Sequence, residues 1–245
     1  MADKLFHDPQ LTQFYDLDNP WDRDKDFVLA FASGAGSVLD LGCGTGELAV
    51  ALADGRRVAG VEPAAAMLDI AQARPGGEQV RWVEADARSV RLDERFDLVV
   101  MTGHAFQCLL GDDDQVAVCR TIAAHLAPGG TFIFDSRNPV CEEWRSWVPG
   151  QTARRFGHPE LGEIEAWNDV RFDVDRAIAT YDTFYRAAGG GEVWQATSRI
   201  RFAGRGEIAT AIAGAGLQVN EWLGDWEGGA WHAQAPEIIP VGSLA

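Results

Sequence analysis

The sequence predicts an α/β fold: a seven-stranded, mostly parallel sheet with helices on both faces, carrying an inserted antiparallel β subdomain. Three features predict it. Residues 37 to 135 alternate short β-branched runs with helical patterns, as a parallel sheet wrapped by helices requires. Residues 141 to 203 switch to period-two alternation, as in an antiparallel sheet. Residues 204 to 245 return to one helical pattern and two apolar runs. The core is therefore expected over 1–138 and 204–245, and an inserted β-rich lid over 139–203.

The first five strands read "SVLDL" (37–41), "RVAGVE" (57–62), "VRWVEA" (80–85), "FDLVVM" (96–101) and "TFIFD" (131–135). Between them, helical patterns run over 47–53, 64–73 and 112–127. In the last of these Val116, Cys119, Ile122, Ala123 and Leu126 share one face, three aspartates (112–114) suit a helix N-terminus, and Pro128-Gly129-Gly130 ends it. The antiparallel candidates are 163–174, 177–187 and 192–203, joined by Asp-Val-Asp-Arg and Gly-Gly-Gly turns. A helix over 206–216 and strands over 217–224 and 236–242 complete the main sheet.

Composition narrows the function. With 47% hydrophobic residues and nine tryptophans among 245 residues, the chain buries a sizeable core. A net charge of −16 argues against a nucleic-acid groove, which needs clustered Lys and Arg. No stretch reaches the roughly 18 apolar residues of a membrane helix, and "MADKLFHDPQ" lacks a signal-peptide core, so a cytoplasmic protein is expected. Cys43, Cys108, Cys119 and Cys141 show no paired spacing and read as free thiols; the five histidines are scattered, and no metal site is read.

The chemistry starts at "LGCGTGE" (41–47). Glycines after a strand let a ligand approach the backbone. A dinucleotide turn would need a third glycine where Glu47 stands, and a carboxylate is a poor neighbour for a pyrophosphate. Glu62 closes the second strand, where its two oxygens could accept both ribose hydroxyls, and Asp86 follows the third, where it could accept an adenine amine. Nicotinamide chemistry is further disfavoured by the lack of a Tyr-x-x-x-Lys pair after the core strands.

Taken as an ordered set, "VLDLGCGTGELAVALA", "GVEPAAAML", "VEADARSV" and "FDLVVMTGHAFQCLL" resemble the successive motifs of class I S-adenosylmethionine-dependent methyltransferases. The likeness spans about residues 10–138 and the tail runs "AGLQVNEWLGDW" and "PEIIPVG", and is nearest to small-molecule N-methyltransferases with a β-rich insertion after the fifth strand. It implies a Rossmann-like sheet and S-adenosylmethionine as cofactor, with Asp40 and Gly42 near the methionine moiety and Gly44 in the same turn. Glu62 would meet the ribose, Met67 the adenine, Asp86 with Ala87 the adenine amine, and the Met101 carbonyl the cofactor's amino group. The family more often has Asp where Glu62 stands.

Around this frame stand candidates for the reaction. Tyr15, in the aromatic and acidic "FYDLDNPWD" (14–22), is expected in a lid with its ring or hydroxyl at the sulfonium, the plainer role of the segment being to cover a sheet edge. His104, in "MTGHAFQ" at the carboxyl edge of the sheet, is a candidate proton acceptor, its plainer role being to bond a backbone carbonyl. Arg137 and Asn138 leave the fifth strand at the same rim, and Trp144, Trp167, Tyr181 and Tyr185 supply amphipathic rings for a substrate pocket. Alternation puts Tyr181 and Tyr185 on one strand face and Phe184 on the other. The expected activity is in-line methyl transfer to a nitrogen, or with His104 as base an oxygen, of a small molecule. An adenosylmethionine-binding cyclase or regulatory module stays open as the alternative, and a homodimer through the inserted sheet is a candidate arrangement.

Overall fold

The computed structural model describes residues 3–245. Its central sheet is built on β1 (Ser37–Leu41), β2 (Arg57–Glu62), β3 (Val80–Glu84), β4 (Phe96–Met101) and β5 (Leu126–Phe134), all parallel. A two-residue strand, β6 (Ser136–Arg137), follows at once. The second sheet is formed by β7 (Arg154–His158), β8 (Gly162–Asp173), β9 (Ile178–Ala187) and β10 (Val193–Arg201), antiparallel in the order β10-β9-β8-β7. The chain then returns through β11 (Leu217–Leu223) and β12 (Glu237–Leu244). The main sheet runs β11-β12-β5-β4-β1-β2-β3, with β12 antiparallel to both neighbours and β6 paired to its start.

β1 is buried at every position, which explains its uninterrupted apolar run: a parallel sheet is covered on both faces. Leu39, Leu41, Val61, Val99, Phe132 and Phe134 face one side, with Ile122 and Ile208 among the residues packed there. Val38, Val58, Val100 and Ile133 face the other, against Val28, Leu48 and Leu52. No helix among the described residues is long and apolar enough to cross a membrane, and all four cysteines are free.

Some boundaries differ from the sequence reading. The helix beginning at Asp112 stops at His125, because Ala127 precedes Pro128 and is driven extended, so the Pro-Gly-Gly run lies inside β5. β7 was not predicted, since "RRFGH" has no β-branched residue. The residues ahead of the glycine turn form four helices, α1 (Lys4–His7), α2 (Pro9–Thr12), α3 (Tyr15–Asp18) and α4 (Arg23–Phe31). Leu5, Leu11 and Phe14 of this segment pack on Ile164, Ala166, Tyr185 and Ala196 of the antiparallel sheet. The chain thus crosses from one sheet to the other between α2 and α4, over the carboxyl edge of the parallel strands.

Candidate functional site

β1 delivers the chain into Gly42-Cys43-Gly44-Thr45-Gly46, whose three glycines have φ of 74°, 53° and 75°. That left-handed backbone favours glycine at each position. At Gly46 space forbids anything else as well, since a Cβ would lie 2.4 Å from the Trp82 ring and 2.8 Å from Ala71. The turn is tied to β2 by the Gly42 and Cys43 N–H groups, both donating to the Val61 carbonyl at 2.8 and 3.1 Å.

Two buried carboxylates adjoin it. Glu62 accepts the N–H groups of Gly44 and Ala64, each at 3.1 Å, yet burial still holds its carboxyl above the usual range. Asp40 is pushed up to about 7, first by burial and then by Glu62 beside it. Among the described residues, neither is ion-paired. A site with two acids and no counter-charge fits a ligand that brings positive charge, as S-adenosylmethionine does with its sulfonium and ammonium groups.

A strap of residues 15–25 lies across the turn. The Tyr15 ring stands 3.9 Å from where a Gly44 Cβ would be, and burial raises its hydroxyl well above the ordinary range. Asp16 accepts the Thr45 hydroxyl at 2.5 Å and pairs with Arg74. Asp18, 6% exposed, pairs with Arg154 of β7 and accepts the Tyr185 hydroxyl at 2.9 Å. Lys25 pairs with Glu47 at 2.6 Å. The strap is therefore fastened to both sheets.

Beyond the turn a cleft of about 1030 Å³ opens, lined by Tyr15, Asp40, Gly42, His104, Arg137 and Glu237 among others. His104 sits after β4 in left-handed backbone, φ 60°, a conformation uncommon outside glycine. Its N–H donates to Asp135 Oδ1 at 3.0 Å. Its ring Nε2 lies 3.0 Å from Glu237 Oε1 and 3.5 Å from Asp135 Oδ2. Burial and the Arg137 charge work against a protonated ring, but Asp135 and Glu237 outweigh them and the imidazole titrates above its ordinary value. Asp135, fully buried, is pushed up to about 6 by that burial, Glu237 adding to the effect. His104 therefore bonds carboxylates, not the backbone carbonyl of the plainer expectation.

The remaining sequence candidates fall in different places. Arg137 lines the cleft with its guanidinium 5.2 Å from the Trp147 ring, its Nη1 bonded to Gln107 at 3.0 Å and its Nε to Glu143 at 3.1 Å. Tyr181 packs edge-on against the same Trp147 at 5.4 Å. Tyr185 is 1% exposed and stacked on Phe14, so it anchors the strap and does not reach the cleft. Phe184 does lie on the opposite face from these tyrosines, stacked on Trp167, and that face carries Trp167 away from the cleft beneath Arg186. Trp144 is stacked on Phe172 at 3.9 Å inside a small apolar cluster. Asn138, expected at the substrate, is buried and spends its amide on the Ala233 and Ala235 carbonyls. Met67, Ala87 and Met101 are buried. Both oxygens of Asp86 are taken by Arg88, which also pairs with Asp114.

Sequence reasoning missed Asp135 and Glu237. Asp135 closes "TFIFD" at a strand end, the signal that singled out Glu62. Glu237 had no signal, since 133 residues separate it from the His104 it touches.

An α/β sheet whose glycine turn and acidic strand ends open on a covered cleft defines an enzyme that binds a nucleoside-containing cofactor. A methyltransferase-domain family matches residues 38–130. The cypemycin N-terminal methyltransferase of a Streptomyces species is 30% identical over 98% of each chain. The dTDP-4-amino-2,3,4,6-tetradeoxy-D-glucose N,N-dimethyltransferase of Saccharopolyspora spinosa is 36% identical over 47% of this chain and 42% of its own. Among solved structures, the CcbJ methyltransferase from Streptomyces caelestis superposes with a TM-score of 0.77 at 26% identity, covering 96% of this chain and 97% of its own. The chain belongs to the S-adenosylmethionine-dependent methyltransferases.

Proposed function

We propose that this enzyme methylates an amine nitrogen of a small molecule and that His104 accepts the proton the nitrogen must lose. His104 carries the reading: a half-buried imidazole on the floor of the cleft, held by two carboxylates that favour its protonated form. The names of two relatives, an N-terminal methyltransferase and an amino-sugar N,N-dimethyltransferase, point to nitrogen as well.

The cofactor, when bound, supplies an electrophilic methyl on sulfur, so the acceptor lone pair forms the N–C bond as the C–S pair returns to sulfur. What the chain contributes is orientation and exclusion of water, worth on the order of 7–11 kcal/mol in well-aligned systems. Gly42 and Gly44 leave room for the cofactor backbone, Asp40 offers a carboxylate to its positive charge, and Glu62 has acceptor capacity left for ribose hydroxyls. Met67 and Ala87 would border the adenine, the Met101 carbonyl the amino group, and Arg88 must release an oxygen of Asp86 before that acid meets the adenine amine. The strap with Tyr15 is the lid. Residues 139–203 form the substrate-facing insertion on a core of 1–138 and 204–245, with Arg137 and Tyr181 bordering the acceptor. The setting is cytoplasmic.

The test is His104→Gln across pH on an amine that the wild type methylates. The wild-type rate falls at low pH as the imidazole protonates; in the variant the rate drops by about 10²–10⁴ and that limb disappears. An unaltered profile removes His104 as the acceptor, and an oxygen-methylated product removes the nitrogen reading.

A further inference from the structure

We propose that Asp135 and Glu237, together with His104, form a cation subsite that receives the acceptor as its ammonium ion. The inference rests on the nitrogen reading above and adds the residues that recognise the substrate.

Three acceptor atoms converge at the cleft floor: one nitrogen of His104 and one oxygen each of Asp135 and Glu237 lie within 4.8 Å of one another. Two carboxylate oxygens there are buried without any hydrogen bond, Asp135 Oδ2 and Glu237 Oε2. The Asp135 side chain is 1% exposed and borders the cleft, so its Oδ2 is held at the cleft floor without a donor from the described residues. Buried carboxylates without partners are costly, and such groups in native proteins call for an explanation.

Among the described residues His104 is the one basic group in contact with both carboxylates, and it must be neutral to accept a proton, which leaves both without a counter-charge. Arg137 stands opposite Glu237 in the β6–β12 ladder, but it bonds Gln107 and Glu143 and covers Trp147. Further out, Asp22 and Asp24 of the strap line the same cleft without an ion pair among the described residues, while its cations Arg23 and Lys25 are paired with Glu227 and Glu47 and its Asp16 and Asp18 with Arg74 and Arg154. A cleft of this sign draws cations inward and turns anions away.

A primary ammonium has three N–H donors, one for each converging acceptor. The Nε2–Glu237 contact of the free protein needs the proton on Nε2; when an ammonium takes that place, the neutral ring carries its proton on Nδ1 and Nε2 accepts. The proton balance is simple: R–NH₃⁺ passes one proton to His104, two N–H groups stay on the carboxylates, and the freed lone pair is the nucleophile. A divalent metal ion would use the same three atoms, and the experiment must separate the two.

The protein is loaded with S-adenosylhomocysteine and titrated with benzylamine, benzyl alcohol and manganese chloride in separate runs; the benzyl ring suits a cleft whose lining includes Tyr15, Trp21 and Trp226. Benzylamine is expected to bind at least tenfold more tightly than the alcohol. Glu237→Gln and Asp135→Asn should each abolish that preference while S-adenosylhomocysteine still binds, which shows the variants folded. Glu237→Asp, which restores the charge, should recover part of it. Equal affinity for amine and alcohol in the wild type, or a preference intact in both variants, overturns the subsite. So does tight manganese binding that benzylamine cannot displace. An enzyme that methylates amines yet shows no charge preference refutes this inference alone, whereas absence of N-methyl product from an amine panel refutes the nitrogen reading alone.

Discussion

Gly46→Ala tests how strictly the glycine turn is built, and Gly55→Ala supplies its reference. Both glycines are left-handed, at φ of 75° and 71°. A side chain in that conformation costs roughly 1–2 kcal/mol. At Gly55 a Cβ meets nothing within 4 Å, so that cost stands alone. At Gly46 the Cβ would press 2.4 Å from the Trp82 ring, which cannot swing clear because its Nε1 donates to the Gly77 carbonyl at 2.8 Å, and 2.8 Å from Ala71. Overpacking of this kind adds typically about 1–3 kcal/mol. Gly46→Ala should therefore lose roughly 2–5 kcal/mol against roughly 1–2 for Gly55→Ala in urea unfolding of the apo protein. Cofactor affinity should fall in the first variant and hold in the second. Equal losses would show that the Trp82 contact does not constrain the turn.

Four further outcomes follow from the site. Asp40 and Asp135 are raised acids and His104 a raised base, so the folded chain holds more protons at these groups than the unfolded chain does. Their contribution to stability is full below the unfolded carboxylate values and is lost as pH rises through about 7 for Asp40 and about 6 for Asp135. A cation bound beside Asp40 reverses its shift, so S-adenosylmethionine should release protons on binding near pH 6.5, and more than S-adenosylhomocysteine does; calorimetry in buffers of different ionisation heat reads the difference, and equal release sinks the charge argument. Glu237→Gln should move the acid limb of the rate profile to lower pH, because the ring loses a carboxylate that favours its charge while Asp135 still supports it and Arg137 still opposes it. Asp18→Asn strips the strap of its pairing with Arg154, and should cost about 1–3 kcal/mol and raise the KM for the cofactor; an unchanged KM would mean that the strap does not govern cofactor retention.

The sheet was legible because its signals are local. β-branched runs of five or six residues, a glycine turn after the first and acids closing the next two each lie within one element, and their order carries the family resemblance. Positions on the antiparallel sheet were only half legible. Alternation correctly set Tyr181 and Tyr185 against Phe184, but it does not say which face meets the cleft, and Tyr185, Trp144 and Trp167 went to strap, core and outer face. The four leading helices were missed because three of them span only four residues, too few to show a period. The His104, Asp135 and Glu237 cluster was illegible for a topological reason: its members lie on three segments that meet only when β12 enters beside β5.

That insertion has a consequence for how the enzyme comes into being. β12 is made after β5 and β11, yet its place is between them, and among the described residues β11 pairs with no other strand of the sheet. A nascent chain whose β12 is still in the exit tunnel has its glycine turn complete but lacks Glu237 and has an unfilled slot in its sheet. Synthesis proceeds at about 5–20 residues per second, so such chains persist for seconds. Ribosome-held chains should thus acquire cofactor affinity before they acquire turnover, and the enzyme is silent until β12 has emerged.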